Sequence, residues 1–365
     1  MEKVAIIKCD TYKQEEVDRA IKRALHLLNF NTKKYKKILI KPNILGGFDK
    51  NQEAITTHPS LIRAIIKEFK GEKTIGESSS SNTKQSFEKA GYSEFNNLLV
   101  FESSELIKIE DKGAKILKTF YLSKNLKEMD LIINVPKLKT HLLTKFTGAI
   151  KNLYGCIPGG MKQEYHKKAV SSKEFSSLLL DIYQNIKPGL NIMDAVIAME
   201  GEGPSSGIPK KVGLILASKN AIALDIAASK LIGYNPENIF FIDEAVKRKL
   251  YPNFKIELVG DLTEIPNLKF KKPILENKNF LNSILIKIAR KRPIIVNKKE
   301  CIKCGKCFQS CPKRAIALSP YPIINTKKCI RCFCCIEVCP KHALYLKETF
   351  ERKIYKILTK IYRFG

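Results

Sequence analysis

Nine of the eleven cysteines in this chain of 365 residues lie between Cys301 and Cys339, and their spacing constrains that stretch more than any other feature. It reads Cys301-Ile-Lys-Cys304-Gly-Lys-Cys307-Phe-Gln-Ser-Cys311-Pro312, then Cys329-Ile-Arg-Cys332-Phe-Cys334-Cys335-Ile-Glu-Val-Cys339-Pro340. Both halves follow C-x2-C-x2-C-x3-C-P, offset by the 28 residues from 301 to 329. Pro312-Lys313 and Ala315 recur as Pro340-Lys341 and Ala343, so the segment is an internal duplication. The opening, Met1-Glu2-Lys3-Val4-Ala5-Ile6-Ile7-Lys8, has charges where a leader peptide needs an apolar stretch. The expected location is therefore the cytoplasm, where clustered cysteines seldom form disulfides and metal is the first reading.

Three thiolates on one tight loop can reach three corners of a cubane, with backbone N–H groups of that loop pointing at its sulfurs. The fourth cysteine begins the next segment, points the other way and completes the opposite cluster. This assigns Cys301, Cys304, Cys307 and Cys339 to one 4Fe–4S cluster, and Cys329, Cys332, Cys335 and Cys311 to a second. Zinc, the alternative, needs only four ligands per ion. Cys334 falls outside the pattern and reads as a packed or spare thiol. The segment resembles the bacterial two-cluster 4Fe–4S ferredoxins, which it matches at all eight ligand positions.

Before Lys271 the chain changes character. Short β-rich runs (Val4–Cys9, Ile38–Ile40, Thr74–Gly76, Asp130–Val135, Leu190–Met193, Val212–Ala217, Lys255–Val259) alternate with amphipathic stretches (Val17–Phe30, His58–Phe69, Lys84–Ala90, Ala221–Ile232). Leu98–Phe101 and Leu106–Tyr121 add strands or a hairpin. The expected fold class is α/β, a layered and mostly parallel sheet with helices on both faces, followed by a small α+β ferredoxin-like two-cluster domain. The expected division is 1–270 for the α/β domain and 271–293 for a linker with a docking helix at Phe280–Ile288. The cluster domain then takes 294–347, and an amphipathic helix takes 348–365. That last helix suits packing on a neighbouring domain or lying on a membrane surface.

In open sheets of this class ligands bind beyond the carboxyl ends of the strands. Polar residues fall there four times: Lys41-Pro42-Asn43, Glu77 with Ser78–Ser81 and Asn82, Pro136–His141, and Asp194 followed by Glu200–Gly207. If Pro136–His141 is extended, Lys137, Lys139 and His141 share one face. These pieces predict one pocket for a small anionic substrate. Lys137, Lys139, His141 and Glu200 are its candidate catalytic residues, and Lys41, Asn43, Lys151 and Asn152 its candidate binding residues. In this reading His141 is the proton donor, while Glu200 or Glu202 offsets the crowded cations or ligates a metal. Asn43 and the serines also suit turns and caps, His58 suits a helix cap, and His166 is left open.

The same residues carry a second resemblance. Lys41-Pro42-Asn43, Thr57-His58-Pro59, Asn134–His141, Thr147–Asn152 and Met199-Glu200-Gly201-Glu202-Gly203-Pro204 are similar to the uncharacterised family known as domain of unknown function 362. Its members often end in a two-cluster ferredoxin tail with a doubled cysteine, as Cys334-Cys335 here. Gly76-Glu77-Ser78-Ser79-Ser80 departs from the Asp-Ser-Pro-Gly type of loop that the resemblance implies. The family label supplies no reaction.

Charge narrows the partners. The chain carries 65 basic and 36 acidic side chains, a formal +29. From Lys271 onward, 23 lysines and arginines face 5 glutamates and no aspartate. That excess suits an acidic electron donor such as a ferredoxin or flavodoxin. Nucleic acid is disfavoured: there is no nucleic-acid motif and no Trp, and only 10 of the 65 basic residues are arginine. Neither G-x-G-x-x-G nor a Walker motif occurs. The functional expectation is a ferredoxin-fed reductase, with a non-catalytic electron carrier or iron–sulfur assembly partner as the alternative.

Overall fold

Ile38-Leu39-Ile40 and Leu131-Ile132-Ile133 show no polar alternation, as strands covered on both faces require, and they lie side by side in the middle of one sheet. The structure, a computed structural model, describes residues 1–48, 51–273 and 294–346. The expected docking helix at 280–288 and the amphipathic segment 348–365, with its membrane-surface reading, lie outside the described residues. No described helix is long and apolar enough to cross a membrane.

In chain order, β1 is Lys3–Lys8, β2 Lys37–Pro42, β3 Glu72–Glu77 and β4 Leu98–Val100. A separate hairpin pairs β5 (Leu106–Glu110) with β6 (Thr119–Ser123). Then come β7 (Leu131–Val135), β8 (Lys137–His141), β9 (Lys145–Thr147), β10 (Leu190–Glu200), β11 (Ile208–Ser218) and β12 (Glu257–Gly260). Ten strands form the main sheet in the order β12-β1-β11-β10-β7-β2-β3-β4, with β8 beside β10 and β9 beside β8. The pairings β2–β3, β2–β7, β3–β4, β7–β10, β8–β10 and β1–β12 are parallel. The chain therefore has the expected α/β fold, with one apolar core on each face of the sheet.

Two departures from the sequence reading bear on the site. The run from Leu190 does not end near Met193. β10 continues eleven residues to Glu200 and returns antiparallel as β11, so the glycine-rich Glu200–Gly207 stretch is the tip of a long hairpin. The second departure is the pair of helices Met161–Lys168 and Ser172–Ile186, for which the sequence reading had no element. The latter starts with a reciprocal capping box, Ser171 with Glu174, and buries Phe175, Leu178, Leu179, Ile182 and Ile186 at helical spacing.

The short turn Ala149–Asn152 is aimed by a carboxylate from another element. Asp225, on the helix Ala221–Leu231, accepts hydrogen bonds from the Ala149 and Ile150 N–H groups at 2.6 and 2.9 Å. The fit leaves no room for a side chain at Gly148, where a Cβ would meet Asp225 Oδ1 at 2.1 Å. Gly148→Ala should therefore cost about 1–3 kcal/mol, the range for overpacked sites. A denaturation midpoint unchanged from wild type would show that this contact does not hold the turn.

Candidate functional site

The cluster domain begins and ends with the ribbon β13 (Ile294–Val296) and β16 (Leu344–Leu346), which enclose the hairpin β14 (Ile316–Ser319) with β15 (Tyr321–Ile324). The duplication is visible in the backbone. Lys303, Gly305 and Arg314 have positive φ, and so do Arg331, Phe333 and His342, each 28 residues on. The Ala315 N–H donates to Cys311 Sγ at 3.1 Å and the Ala343 N–H to Cys339 Sγ at 3.2 Å. Cys301, Cys304, Cys307 and Cys339 line one small cavity, and Cys311, Cys329, Cys332 and Cys335 line another. Among the described residues no three His, Cys, Asp or Glu side chains converge on a single-ion site. Thiolates bound to separate irons of a cubane surround the group from its corners, so these thiol-lined cavities fit an iron–sulfur cluster.

A third cavity, of about 420 Å³, lies between the two domains. The α/β domain contributes Asn43, the Ser78–Asn82 loop, His141, Lys151, Asn152, Lys162 and His166. The cluster domain contributes Lys306, Gln309, Cys334 and Glu337. The Cys334 thiol therefore faces this cavity, while its neighbour Cys335 faces the thiol-lined one.

The predicted site residues divide on this geometry. Lys41 is wholly buried, and its ammonium donates to Glu77 Oε2 at 2.8 Å and to the Pro42 carbonyl at 2.7 Å. Lys137 donates to Asp194 Oδ2 and to the Tyr12 hydroxyl, both at 2.7 Å. Lys139 donates to Asn43 Oδ1 at 2.8 Å and to the Ile55 carbonyl at 2.7 Å. None of these three lysines lines the interdomain cavity. Lys41 and Lys137 are paired with buried carboxylates, as a buried ammonium requires, whereas Lys139 has only neutral acceptors and burial lowers its pKa well below the usual lysine value. Glu200 is also elsewhere, at the hairpin tip, where it accepts from Lys210 Nζ and from the Lys271 N–H, both at 3.1 Å. It neither offsets the clustered lysines nor stands with other metal ligands.

His141, Asn43, Asn152 and Lys151 do meet at the cavity. The Asn43 amide donates to Asn152 Oδ1 at 2.9 Å, Asn152 to Asn134 Oδ1 at 2.7 Å, and Asn134 to Asn191 Oδ1 at 3.0 Å. This chain of amides leaves the two cavity-facing ones fixed in orientation. Lys151 makes no hydrogen bond or ion pair with the described residues. Burial lowers its pKa, while Glu337 partly restores it. His141 Nδ1 accepts the Leu143 and Thr144 N–H groups at 3.0 and 3.3 Å, so Nε2 carries the proton. That nitrogen lies 3.2 Å from Glu337 Oε1 in a charge contact that lacks hydrogen-bond alignment. Burial and then Lys151 push the His141 pKa down to about 4. A ring whose Nδ1 already accepts two backbone donors is a poor source of a second proton, which argues against the expected role as acid.

His166, which the sequence reading left open, and Lys162 and Glu337, to which it gave no role, complete the lining. His166 stacks on Phe175 at 4.6 Å, and its buried Nδ1 has no hydrogen-bond partner. Lys162 bonds to the Ser78 carbonyl, and burial brings its pKa down to about 8. Burial pushes the Glu337 carboxyl up, but His141, Lys151 and His166 outweigh it and hold the pKa near 2. The serines knit loops: Ser79 and Ser80 hydroxyls donate to the Ile44 and Leu45 carbonyls, and Ser78 Oγ accepts the Gly159 N–H. His58 is the helix cap, its Nδ1 accepting the Ser60 N–H at 3.2 Å.

The hairpin tip has a different use. Ser205 Oγ donates to the Glu337 carbonyl at 3.4 Å, and Ser206 Oγ lies 3.3 Å from His342 Nδ1. Phe48 stacks on His342 with ring centroids 5.6 Å apart. Gly203 lets this loop approach β8, since a Cβ there would lie 2.0 Å from the Thr140 carbonyl oxygen. Ser205 and Ser206, just beyond the Met199–Pro204 motif, thus help seat the cluster domain.

Comparison with known proteins finds two matching families along the chain. Residues 38–230 match the family described as "Domain of unknown function (DUF362)", and residues 293–343 match a 4Fe-4S dicluster domain. The first match spans more than half of the chain, which belongs to that family. The thylakoid-associated protein sll1697 of Synechocystis is 32% identical over 214 residues, covering 56% of this chain and 65% of the relative. The chain thus spans just under two thirds of that relative's length. The lactate racemase apoprotein of Thermoanaerobacterium thermosaccharolyticum aligns with a TM-score of 0.40 and 14% identity, over 62% of this chain and 56% of that one. A likeness of that degree carries no argument. The C-terminal match and the fitting thiol-lined cavities make this an iron–sulfur protein.

Burial lowers three histidines, His58, His141 and His166, to about pH 4 from an ordinary value near 6.5. Between those values the unfolded chain binds their protons and the folded chain does not, so stability falls as pH drops from about 6.5. Asp225, raised to about 7 by burial, and Glu77, also raised by burial, have the opposite slope, but they are two groups against three. Denaturation midpoints should therefore decline from pH 7 to pH 5, less steeply in His166→Phe. A flat profile would contradict the burial of these rings.

Proposed function

We propose that this member of the domain of unknown function 362 family is a two-cluster 4Fe–4S oxidoreductase. In this reading it reduces a small anionic substrate in the interdomain cavity and draws electrons from an acidic carrier protein. It works in a reducing cytoplasm, where the clustered thiols stay available. The observation that carries the reading is the shared lining: Lys151 and His166 come from the α/β domain, and Cys334 and Glu337 from the cluster loop. Two sets of four cysteines, each around its own cavity, support two clusters with crossed ligation. When bound, such clusters supply electrons one at a time.

The remaining steps belong to the side chains. A cavity of about 420 Å³ suits a small molecule. Its lining includes Lys151, Lys162 and Lys306 against Glu337, since Glu77 is neutralised by Lys41. The surplus of two positive charges favours an anion such as a carboxylate. Lys151, free of internal partners, is the anchor for charge that builds on a substrate oxygen. In a water-poor cleft an ammonium stabilises such charge more than in water, and losing one comparable donor costs roughly 3–4 kcal/mol. The Asn43 and Asn152 amides orient the substrate. The proton-handling role, first assigned to His141, fits His166 better, because its Nδ1 is buried at the cavity and unclaimed.

Mass spectrometry of small molecules released from anaerobically purified protein tests this reading. An anionic molecule should accompany the wild type and be lost from Lys151→Met, with iron and acid-labile sulfide unchanged. Retention in the variant, or no ligand bound by either, would favour a non-catalytic carrier.

A further inference from the structure

The internal duplication allows the two cluster loops to be compared position by position. In the second loop Ile330, Arg331 and Cys332 are half-buried, and Cys334 and Glu337 turn into the interdomain cavity. In the first loop the equivalent Ile302, Lys303 and Cys304 are all exposed, Ile302 to 57%. Both loops reach the interdomain cavity, the first through Lys306 and Gln309 at the positions of Cys334 and Glu337, but they differ in exposure over Ile302–Cys304 and Ile330–Cys332. The Ile302–Cys304 segment of the first loop is the one left exposed, so that loop presents an outward side.

The outward side is not an ordinary charged surface. Phe308 is 47% exposed and Leu318 43%, and Leu318 reaches the loop at Gly305, where an added Cβ would lie 3.6 Å from its Cδ1. Lys298 and Lys303 stand over the Tyr321 ring beside them, at 5.6 and 4.9 Å. Residues 294–346 hold ten lysines and arginines but only two carboxylates, Glu300 and Glu337. Glu337 is turned inward, which leaves Glu300 as the exposed one.

We propose that the surface formed by Ile302, Lys303, Phe308, Leu318 and Lys298 is the docking site for an acidic one-electron carrier protein. This rests on the two-cluster reading above. A small apolar centre with a cationic rim suits a weak, fast redox encounter, in which opposite fields steer approach and little area is buried. In that encounter one electron leaves the carrier, which is oxidised by one equivalent. The cluster held by the outward loop is reduced by one equivalent, and no atom is transferred.

The test uses the intact holoprotein and an acidic flavodoxin as probe, with binding followed by calorimetry. Affinity should fall steeply between low and physiological salt. Lys298→Glu and Leu318→Glu, which alter neither a ligand nor its chain neighbour, should each weaken binding by about tenfold or more. Flavodoxin-driven bleaching of the clusters should slow in step, while bleaching by dithionite should not. A Lys328→Glu variant, beside the second loop, is the control and should bind as wild type. Salt-independent binding, or wild-type affinity in both surface variants, overturns the proposal. So does a wild-type dimer that these variants dissociate, because the occupant is then a second copy. Failure of the two-cluster reading is distinguishable, because it appears as half the expected iron in the wild type.

Discussion

Glu337 sits on the cluster loop, yet its carboxylate lies beside His141 and among the cationic groups of the other domain. That contact is the constraint on which the architecture turns. A carboxylate buried without compensation would take up a proton or drive the domains apart. Here Lys151 offsets its charge and the Nε2–H of neutral His141 lies beside it, while the hairpin tip and the Phe48–His342 stack hold the cluster domain in place around it. The result is a closed space that neither domain forms alone, with a thiol-bearing loop as one wall.

Several lysines that look functional in the sequence are spent on building that space. Lys41 with Glu77, and Lys137 with Asp194 and Tyr12, are ion pairs with almost no solvent access. Such pairs contribute little net stability, but removing one partner typically costs about 3–5 kcal/mol because the other is left charged and buried. They tie the end of β2 to that of β3, and β8 to β10 and to Tyr12 in the segment after β1. Loss of activity on deleting Lys41 or Lys137 would therefore say little about chemistry, whereas Lys151 interacts with Glu337 without a hydrogen bond or ion pair among the described residues.

The cluster motif was legible because its spacing is itself the chemistry: eight cysteines at fixed intervals in two copies. The α/β class was legible from apolar runs such as Ile38–Ile40 and Leu131–Ile133, which only a doubly covered sheet buries. The strand ends pointed to the right end of the sheet. The division of labour among the lysines was not legible, because pairing partners such as Asp194 and Glu77 are distant in sequence and fixed only by strand order. Glu200 was misplaced because nothing between Leu190 and Glu200 marks where the strand ends, and it runs on into a hairpin. Glu337 was hidden in plain view between Cys335 and Cys339, and Asp225 read as an ordinary helical residue. His166 stood in a segment to which no element was assigned, although the Ser171–Glu174 capping box just beyond it was readable.

The central claim is that Lys151, from the α/β domain, shares one cavity with the cluster domain and has its charge neighbours there, Glu337 and Cys334, on the second loop. Redox titration of both clusters in wild type and Lys151→Met tests it without knowledge of the substrate. Removing a cation near one cluster disfavours its reduced form, so the account predicts that one potential becomes more negative while the other stays put. Two potentials both unchanged would contradict it.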